Sequence, residues 1–388
     1  MAATPVYPWR PANRFRLITE PEAFFSAMLR AIEDAQHEIL LEMYLVESGR
    51  VMERFMDALA RAASRGAVVR LLFDDFGARG LSVADRVRIR GSGIQLLFYN
   101  PIRRRKWRLN LHRDHRKLLL VDRRIGFTGG AALSDQLLPA KAGANGWRET
   151  MLEMKGPVLD DWASLFEDTW RKYAPVAAPH LPSLGAAPAG KSRGRVVQSR
   201  GAHRPEILRS FLQRTRAAEK RVWISTPYFI PSHRLRRSFI QAARRGCDVR
   251  LLVPGRITDH PGVRFASRRY FGKLLRAGVR IYEFRPCFLH SKALLCDDWS
   301  SLGSSNLDRW NQFWNLDANQ EVDDPEFSQR VAAMFRNDFR HARRIDPESW
   351  RRRPLSRRFQ ERFWGLVERW LFRLSGRGLR RSRKRRRR

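Results

Sequence analysis

The sequence predicts an α/β protein made of two similar lobes, and three observations carry that reading. Apolar segments at helical spacing alternate with short runs rich in branched residues. A Pro/Ala/Gly-rich segment at residues 174–195, "APVAAPHLPSLGAAPAGKSRGR", interrupts the alternation, and the same order then restarts. A polar motif, histidine-x-lysine with an aspartate five places after the lysine, recurs at the same stage of both halves, 175 residues apart.

In the first half, "PEAFFSAMLRAIEDAQ" has helical spacing and "HEILLEMYLVE" reads as a buried strand. A helix over Met52 to Ser64, the strand "AVVRLLFDD", a helix ending near Gly91 and the strand "IQLLFYN" follow. The second half repeats this order with the helix "EILRSFLQRTRAAEK", the strand "RVWISTPYFIP", the helix "HRLRRSFIQAARRG", the strand "CDVRLLVPG", a helix near "RRYFGKLLRAG" and the strand "VRIYEF". The expected organisation is an N-terminal lobe over residues 1–173, a linker over 174–195, a C-terminal lobe over 196–350 and a basic tail over 351–388. Each lobe is expected to be a central β-sheet flanked by helices.

Charge sets the class of partner. The 388 residues include 76 Lys and Arg against 39 Asp and Glu, a net +37, which points to a polyanion, either nucleic acid or an anionic membrane. Cys247, Cys287 and Cys296 are dispersed, without metal-ligand spacing, and fit a reducing compartment better than a disulfide framework. No apolar stretch approaches the ~18 residues of a membrane span, and "MAATPVYPWRPANRFR" lacks the apolar segment of a signal peptide.

The repeated motif is His115, Lys117 and Asp122 in "HRKLLLVD", then His290, Lys292 and Asp297 in "HSKALLCD". On a strand, residues two apart face the same side, so each copy presents a base beside a cation. One such pair in so basic a chain is an ordinary surface strand. Two copies with identical spacing, each followed by a small-residue turn ("GGAA", 129–132, and "GSSN", 303–306), favour a site. Two lysines can spread the charge of a phosphodiester while one imidazole attacks phosphorus and another protonates the departing oxygen. This chemistry calls for no metal and no cofactor. Asp122 and Asp297 belong to the motif but read as anchors for backbone beside the site. His112 lacks a lysine two places on and reads as a loop histidine, and the basic loop "RRRKWR" (103–108) as either a head-group contact or a solvated face.

These residues resemble the paired His-x-Lys-x4-Asp signatures of the phospholipase D superfamily, and "GSSN" resembles the Gly-Ser-x-Asn that follows them. Within it, "HRK…GG…GWRE" and "LHSK…GSSN…NLDAN" are most similar to bacterial cardiolipin synthases of the short type without transmembrane helices. The resemblance implies two phospholipase D-like lobes with one site at their pseudo-two-fold interface, His115 as the attacking group and His290 as acid and base, with Ser304 and Asn306 supporting. It also implies that Glu149 in "GWRET" backs His290 and Asp317 in "NLDAN" backs His115 from across the interface, with Glu321 in reserve. The sequence departs from the family where Ala132 replaces an expected Asn after "GG", and where Asp297 to Gly303 is one residue shorter than usual.

The implied function is transfer of a phosphatidyl group from one phospholipid to a glycerol hydroxyl of another, giving cardiolipin. Hydrolysis of phospholipid or nucleic acid at the same site is the alternative, and a non-catalytic basic scaffold is a third reading. The segment 357–388 carries Phe359, Phe363, Leu366, Val367, Trp370 and Leu374 at helical spacing among arginines, as expected of a helix in a membrane interface. It would hold a peripheral enzyme on anionic lipid at the cytoplasmic face of the cell membrane. Docking of that helix on the protein is the competing expectation.

Overall fold

The structure, a computed structural model, describes residues 6–103, 109–138, 146–174, 185–200 and 205–385, with side chains to Phe372. The basic loop expected over 103–108 therefore falls outside the described residues save for Arg103, as do residues 175–184 of the linker and the side chains of the terminal basic run.

The N-terminal lobe comprises β1 (Arg10–Ile18), α1 (Pro21–Glu33), β2 (Glu38–Met43), α2 (Arg50–Ser64), β3 (Val68–Asp74), α3 (Val83–Gly91), β4 (Gln95–Tyr99), β5 (Leu118–Val121), β6 (Ile125–Gly129), β7 (Met151–Lys155) and α4 (Val158–Tyr173). The C-terminal lobe repeats it with β8 (Ser192–Arg200), α5 (Glu206–Ala217), β9 (Arg221–Ser225), α6 (His233–Arg244), β10 (Asp248–Pro254), α7 (Pro261–Arg268), α8 (Phe271–Arg276), β11 (Arg280–Phe284), β12 (Ala293–Cys296), β13 (Trp299–Gly303), α9 (Arg309–Trp314), β14 (Leu316–Asp323) and α10 (Pro325–Arg340). A short edge strand β15 (Ala342–Arg344), α11 (Pro347–Arg351) and α12 (Leu355–Arg385) complete the chain.

The fifteen strands among the described residues form one sheet, in the order β15-β11-β10-β9-β12-β13-β14-β8-β1-β7-β6-β5-β2-β3-β4. Apart from β15 the order is the same read outward from its centre, so a pseudo-two-fold axis passes between β1 and β8. The parallel pairs β2–β3–β4 and β9–β10–β11 follow from the helical crossovers legible in sequence. The antiparallel strands β5–β6–β7–β1 and their counterparts follow directly on the motif histidines and lysines and reach the axis.

The linker boundary needs correction. β8 begins at Ser192, inside the segment read as linker, because it must pair with both β14 and β1 to join the lobes. Nor are the lobes separate cores. One apolar cluster runs through both, including Leu152 and Trp162 from the first lobe and Trp223, Leu302 and Phe335 from the second. Polar contacts cross the same boundary: Trp162 donates to Gln320 at 2.8 Å, and Arg148 holds Asp338 through two 2.9 Å bonds.

α12 corrects the tail in a different way. It packs on the C-terminal lobe, but by its acidic stripe: Glu361 pairs with Arg268 and Arg353, Glu368 with Arg309, and a Cβ at Gly365 would lie 2.5 Å from Arg269. Both glutamates are buried, whereas Phe359, Phe363, Leu366 and Trp370 on the opposite stripe are exposed. A helix docked on its protein ordinarily turns its apolar face inward; here the polarity is reversed. No helix among the described residues is long and apolar enough to cross a membrane.

Candidate active site

The site is assembled by two single backbone bridges between lobes. His115 and Lys117 lie in the extended segment leading into β5, and His290 and Lys292 in the equivalent segment before β12, so the motif precedes its strand and does not sit within it. Asp114 bridges Leu316, and Leu289 bridges Arg148. The His115 N–H donates to the Leu316 carbonyl at 2.9 Å, and the His290 N–H to the Arg148 carbonyl at 2.9 Å. The next residue after each of those carbonyls is an acid. Asp317 consequently meets His115 Nδ1 at 3.0 Å, and Glu149 hydrogen-bonds His290 Nδ1. With Nδ1–H donated to a carboxylate, a neutral imidazole turns its Nε2 lone pair outward.

The residues expected from sequence fall into two groups. His115, Lys117, His290, Lys292, Glu149, Asp317, Ser304 and Asn306 come together, all buried. Asp122 and Asp297 do not. Asp122 accepts from the backbone N–H groups of Gln36, His37 and Glu38, each at 2.8 Å, and Asp297 from those of Glu219, Lys220 and Arg221 at 2.8–3.0 Å. Each clamps the entry to β2 or β9 from the far end of its hairpin, about 20 Å of extended chain from the histidine, so they count with the motif and not with the reacting groups. The shorter interval after Asp297 is absorbed in the same turn: Cys296 pairs with Trp299 where Val121 pairs with Ile125, so two residues turn instead of three. Glu321 is occupied by Arg195 at 2.7 Å, and His112 faces the Trp314 carbonyl at 3.2 Å, outside the site.

Two aromatic residues were not singled out from sequence. The Tyr44 ring lies edge-on to His115 at 4.9 Å and 5.3 Å below the Lys117 ammonium, and Trp147 lies 4.8 Å from the His290 ring. They wall the imidazoles from solvent. Their signal was their place in "HEILLEMYLVE", read only as a buried strand, and in "GWRE", noted only for likeness. Thr150 and Ser291 add a hydroxyl contact of 2.9 Å across the lobes.

Burial dominates the electrostatics. It lowers the His115 pKa to about 4, with Lys117 adding to the effect against Asp317, and lowers His290 to about 4, with Lys292 adding and Glu149 opposing. Burial likewise brings Lys117 down to about 7, helped by Lys292, and Lys292 down to about 8 against the pull of Glu149. For Glu149 burial works upward, but Lys292 and His290 outweigh it and hold the carboxylate below its ordinary value.

The halves are not equivalent. Ser304 donates to Asp317 at 2.8 Å, while its counterpart Gly130 has no side chain; a Cβ there would lie 2.4 Å from the Glu149 oxygens. Asn306 has both side-chain polar atoms buried without a partner among the described residues, where the counterpart Ala132 has none to offer. His115 Nε2 makes no hydrogen bond among the described residues, whereas Lys292 Nζ lies 3.0 Å from His290 Nε2. Such a cluster of bases, cations and one orphaned amide suits an anion of phosphate type.

A family profile described as "Cardiolipin synthase, PLD-like domain" matches residues 28–170 and 211–339. The chain belongs to that family. The chain is 33% identical over 344 residues to cardiolipin synthase A of Pseudomonas putida (strain W619), covering 87% of this chain and 70% of the relative. It is 34% identical to cardiolipin synthase A of Pseudomonas aeruginosa (strain LESB58) over 87% and 69%, and 30% identical to the cardiolipin synthase of Geobacillus kaustophilus (strain HTA426) over 92% and 72%. Among solved structures, phosphatidylserine synthase of Haemophilus influenzae Rd KW20 superposes with a TM-score of 0.65 at 14% identity, covering 91% of this chain and 94% of that one, which speaks to the fold alone. This member of the cardiolipin synthase family is a phosphatidyltransferase with the phospholipase D fold.

Two expectations follow from the site. Asn306→Ala should lower kcat/KM for phosphatidyl transfer about 100-fold while leaving the thermal unfolding midpoint unchanged, because the amide supports no protein hydrogen bond; a parallel loss of stability would mark the residue as structural. As pH rises through about 7 and 8, Lys117 and then Lys292 lose charge while the histidines stay neutral, so kcat/KM on a soluble short-chain lipid should fall on the alkaline side. A profile flat across that range would remove the lysines from charge neutralisation.

Proposed function

We propose that the enzyme forms cardiolipin from two molecules of phosphatidylglycerol through a phosphohistidine on His115. The observation that carries the reading is the meeting of two acid-backed imidazoles with two buried lysines, together with the orphaned amide of Asn306 two residues after the Ser304 that donates to Asp317. Those groups match what a phosphodiester requires, and the curated relatives are named for cardiolipin synthesis.

In the first half-reaction His115 Nε2 gives its lone pair to phosphorus, the bond from phosphorus to the head-group glycerol oxygen breaks, and His290 gives that oxygen a proton. Lys117, Lys292 and Asn306 hold the non-bridging oxygens as charge builds. In the second, His290 takes the proton of a glycerol hydroxyl on a second phosphatidylglycerol, the oxygen attacks phosphorus, and the bond to His115 breaks. One glycerol leaves and one cardiolipin forms. The free Nε2 of His115 and the lysine beside His290 Nε2 support this division of roles. Neutral histidines suit attack, and the bound phosphodiester anion would raise His290 toward its acid form, since a nearby negative charge favours imidazolium. A hydrolytic reading draws on the +37 charge, which would suit nucleic acid, and the product assay below separates it.

The exposed stripe of α12 supports a peripheral place on the membrane. Phe359 and Trp370, 69% and 61% exposed, would sit among acyl chains with the arginines of the helix at head-group level. The cytoplasmic face fits three buried free thiols, Cys247, Cys287 and Cys296.

Purified enzyme on phosphatidylglycerol vesicles should yield cardiolipin and free glycerol by mass spectrometry; phosphatidic acid alone would make it a hydrolase, and DNA cleavage without lipid product a nuclease. His115→Ala should abolish labelling of the protein by phosphate-labelled lipid, whereas His290→Ala should retain labelling from a substrate whose leaving group needs no proton; label recovered on His290 would reverse the roles. Replacing Phe359, Phe363 and Trp370 together by Ser should reduce co-sedimentation with anionic vesicles without lowering the melting temperature. Undiminished sedimentation would place the membrane contact elsewhere.

A further inference from the structure

A second basic feature lies apart from the histidines. A cavity of about 860 Å³ opens between α7, α11 and the first turns of α12, within the roughly 300–1,000 Å³ typical of small-ligand sites. Seven arginines and three carboxylates line it. The carboxylates are already committed: Glu283 to Arg264 and Arg268, Glu361 to Arg268 and Arg353, and Asp346 to the N-terminus of α11, where it accepts from the Ser349 N–H. Arg256, Arg285, Arg343 and Arg357 make no ion pair among the described residues, and the Nε of Arg264 is buried without a partner. Four guanidinium groups therefore line one concavity without an ion pair among the described residues, an arrangement whose mutual repulsion an anion would relieve.

Its position narrows the anion. Arg357, Gln360 and Glu361 belong to α12; Gln360 lies roughly a quarter turn from the exposed stripe of Phe359, Phe363 and Leu366, and Arg357 and Glu361 nearly half a turn. If that stripe enters the acyl region, the far side of a helix ~10 Å across, which opens into the cavity, lies at head-group depth. Ile257, 50% exposed, adds an apolar rim. A ligand with an anionic head and an apolar tail suits both surfaces, whereas a nucleic acid backbone would need a run of cations along a groove and not a walled cavity.

We propose that this cavity is a second, non-catalytic binding site for the phosphodiester head group of an anionic phospholipid. Arg285, Arg343 and Arg357 receive the phosphate oxygens, Arg256 closes the mouth, and the pairs at Glu283 and Glu361 hold the walls in place. The loop from Gly255 to Thr258 that forms one wall continues into Asp259, which accepts from the Tyr228 hydroxyl and whose charge acts on Lys292, so the cavity and the neighbourhood of the transfer site share a segment of chain. The proposal adds to the transfer reading and does not depend on it.

The experiment titrates the His115→Ala protein with dihexanoyl phosphatidylglycerol below its critical micelle concentration, by calorimetry. The parent should show a binding class that the added triple substitution Arg285→Ala, Arg343→Ala and Arg357→Ala weakens by about tenfold or more, with the melting temperature unchanged because the three side chains make no ion pair. Dihexanoyl phosphatidylcholine should not fill it, and inorganic phosphate should fill it only weakly. Binding unaltered by the triple substitution, equal binding of the zwitterionic lipid, or inorganic phosphate bound as tightly as the lipid probe would each overturn the proposal. Failure of the transfer reading would appear instead as wild-type enzyme that makes no cardiolipin while the arginine-dependent class persists.

Discussion

Each motif histidine depends on a carboxylate from the opposite lobe, and that exchange is the constraint around which the molecule is arranged. An imidazole buried among lysines needs an acceptor on Nδ1 to fix its tautomer, yet neither lobe supplies one from its own motif. The backbone bridges from Asp114 to Leu316 and from Leu289 to Arg148 deliver it. They have meaning only if the lobes are held in register to within a hydrogen-bond length. The β1–β8 pairing, the shared core and the Arg148–Asp338 pair supply that register. A flexible two-domain arrangement could not keep two such contacts at once. Joining the halves into one sheet is thus a requirement of the site as much as of stability.

The same burial explains the balance of charge. Two ammonium groups and two imidazoles in a dry interface cannot all be charged, and the lowered values of His115, His290, Lys117 and Lys292 express first the cost of burying charge and, for the first three, the repulsion of a neighbouring lysine. Glu149 and Asp317 offset part of it. What remains is a pocket biased toward an incoming anion, and the partnerless Asn306 amide is biased the same way. The asymmetry between Ser304 and Asn306 on one side and Gly130 and Ala132 on the other shows that the pseudo-two-fold repeat has diverged where it meets the reacting groups, while Asp122 and Asp297 keep matching anchoring roles far from them.

Much of this was legible in the sequence because it depends on local pattern. The alternating helices and strands on the parallel side of each lobe have clear periodicity, and the two His-x-Lys copies stand out by repetition. Glu149 and Asp317 were reached by resemblance alone: nothing local separates them from other acids, since their role comes from a contact across 141 or 202 residues of sequence. β1 and the start of β8 were missed for a related reason. "RPANRFRLI" and "SRGRVVQSR" are rich in arginine and poor in continuous apolar character, and they become strands because neighbours on both sides complete their hydrogen bonding. The motif's own placement just before its strand is tertiary too, set by the bridge to the other lobe.

α12 shows where pattern reading stops. Its aromatic spacing correctly marked a helix, and spacing cannot say which face is docked. Glu361 and Glu368 decide it, because a carboxylate buried beside arginines of α7 and α9 leaves the helix no other orientation without stranding two buried charges. With the acids turned inward, the apolar stripe has to face outward. Arginine plays two parts in this region: Arg268, Arg309 and Arg353 bind the helix to the lobe, while Arg256, Arg285, Arg343 and Arg357 remain without acids to answer them. The large positive charge of the chain is accordingly not a uniform solvated coat. Part of it is spent internally on carboxylates, and part of the surplus lies beside α12, which displays Phe359, Phe363, Leu366 and Trp370, the distribution expected of a surface that meets anionic lipid.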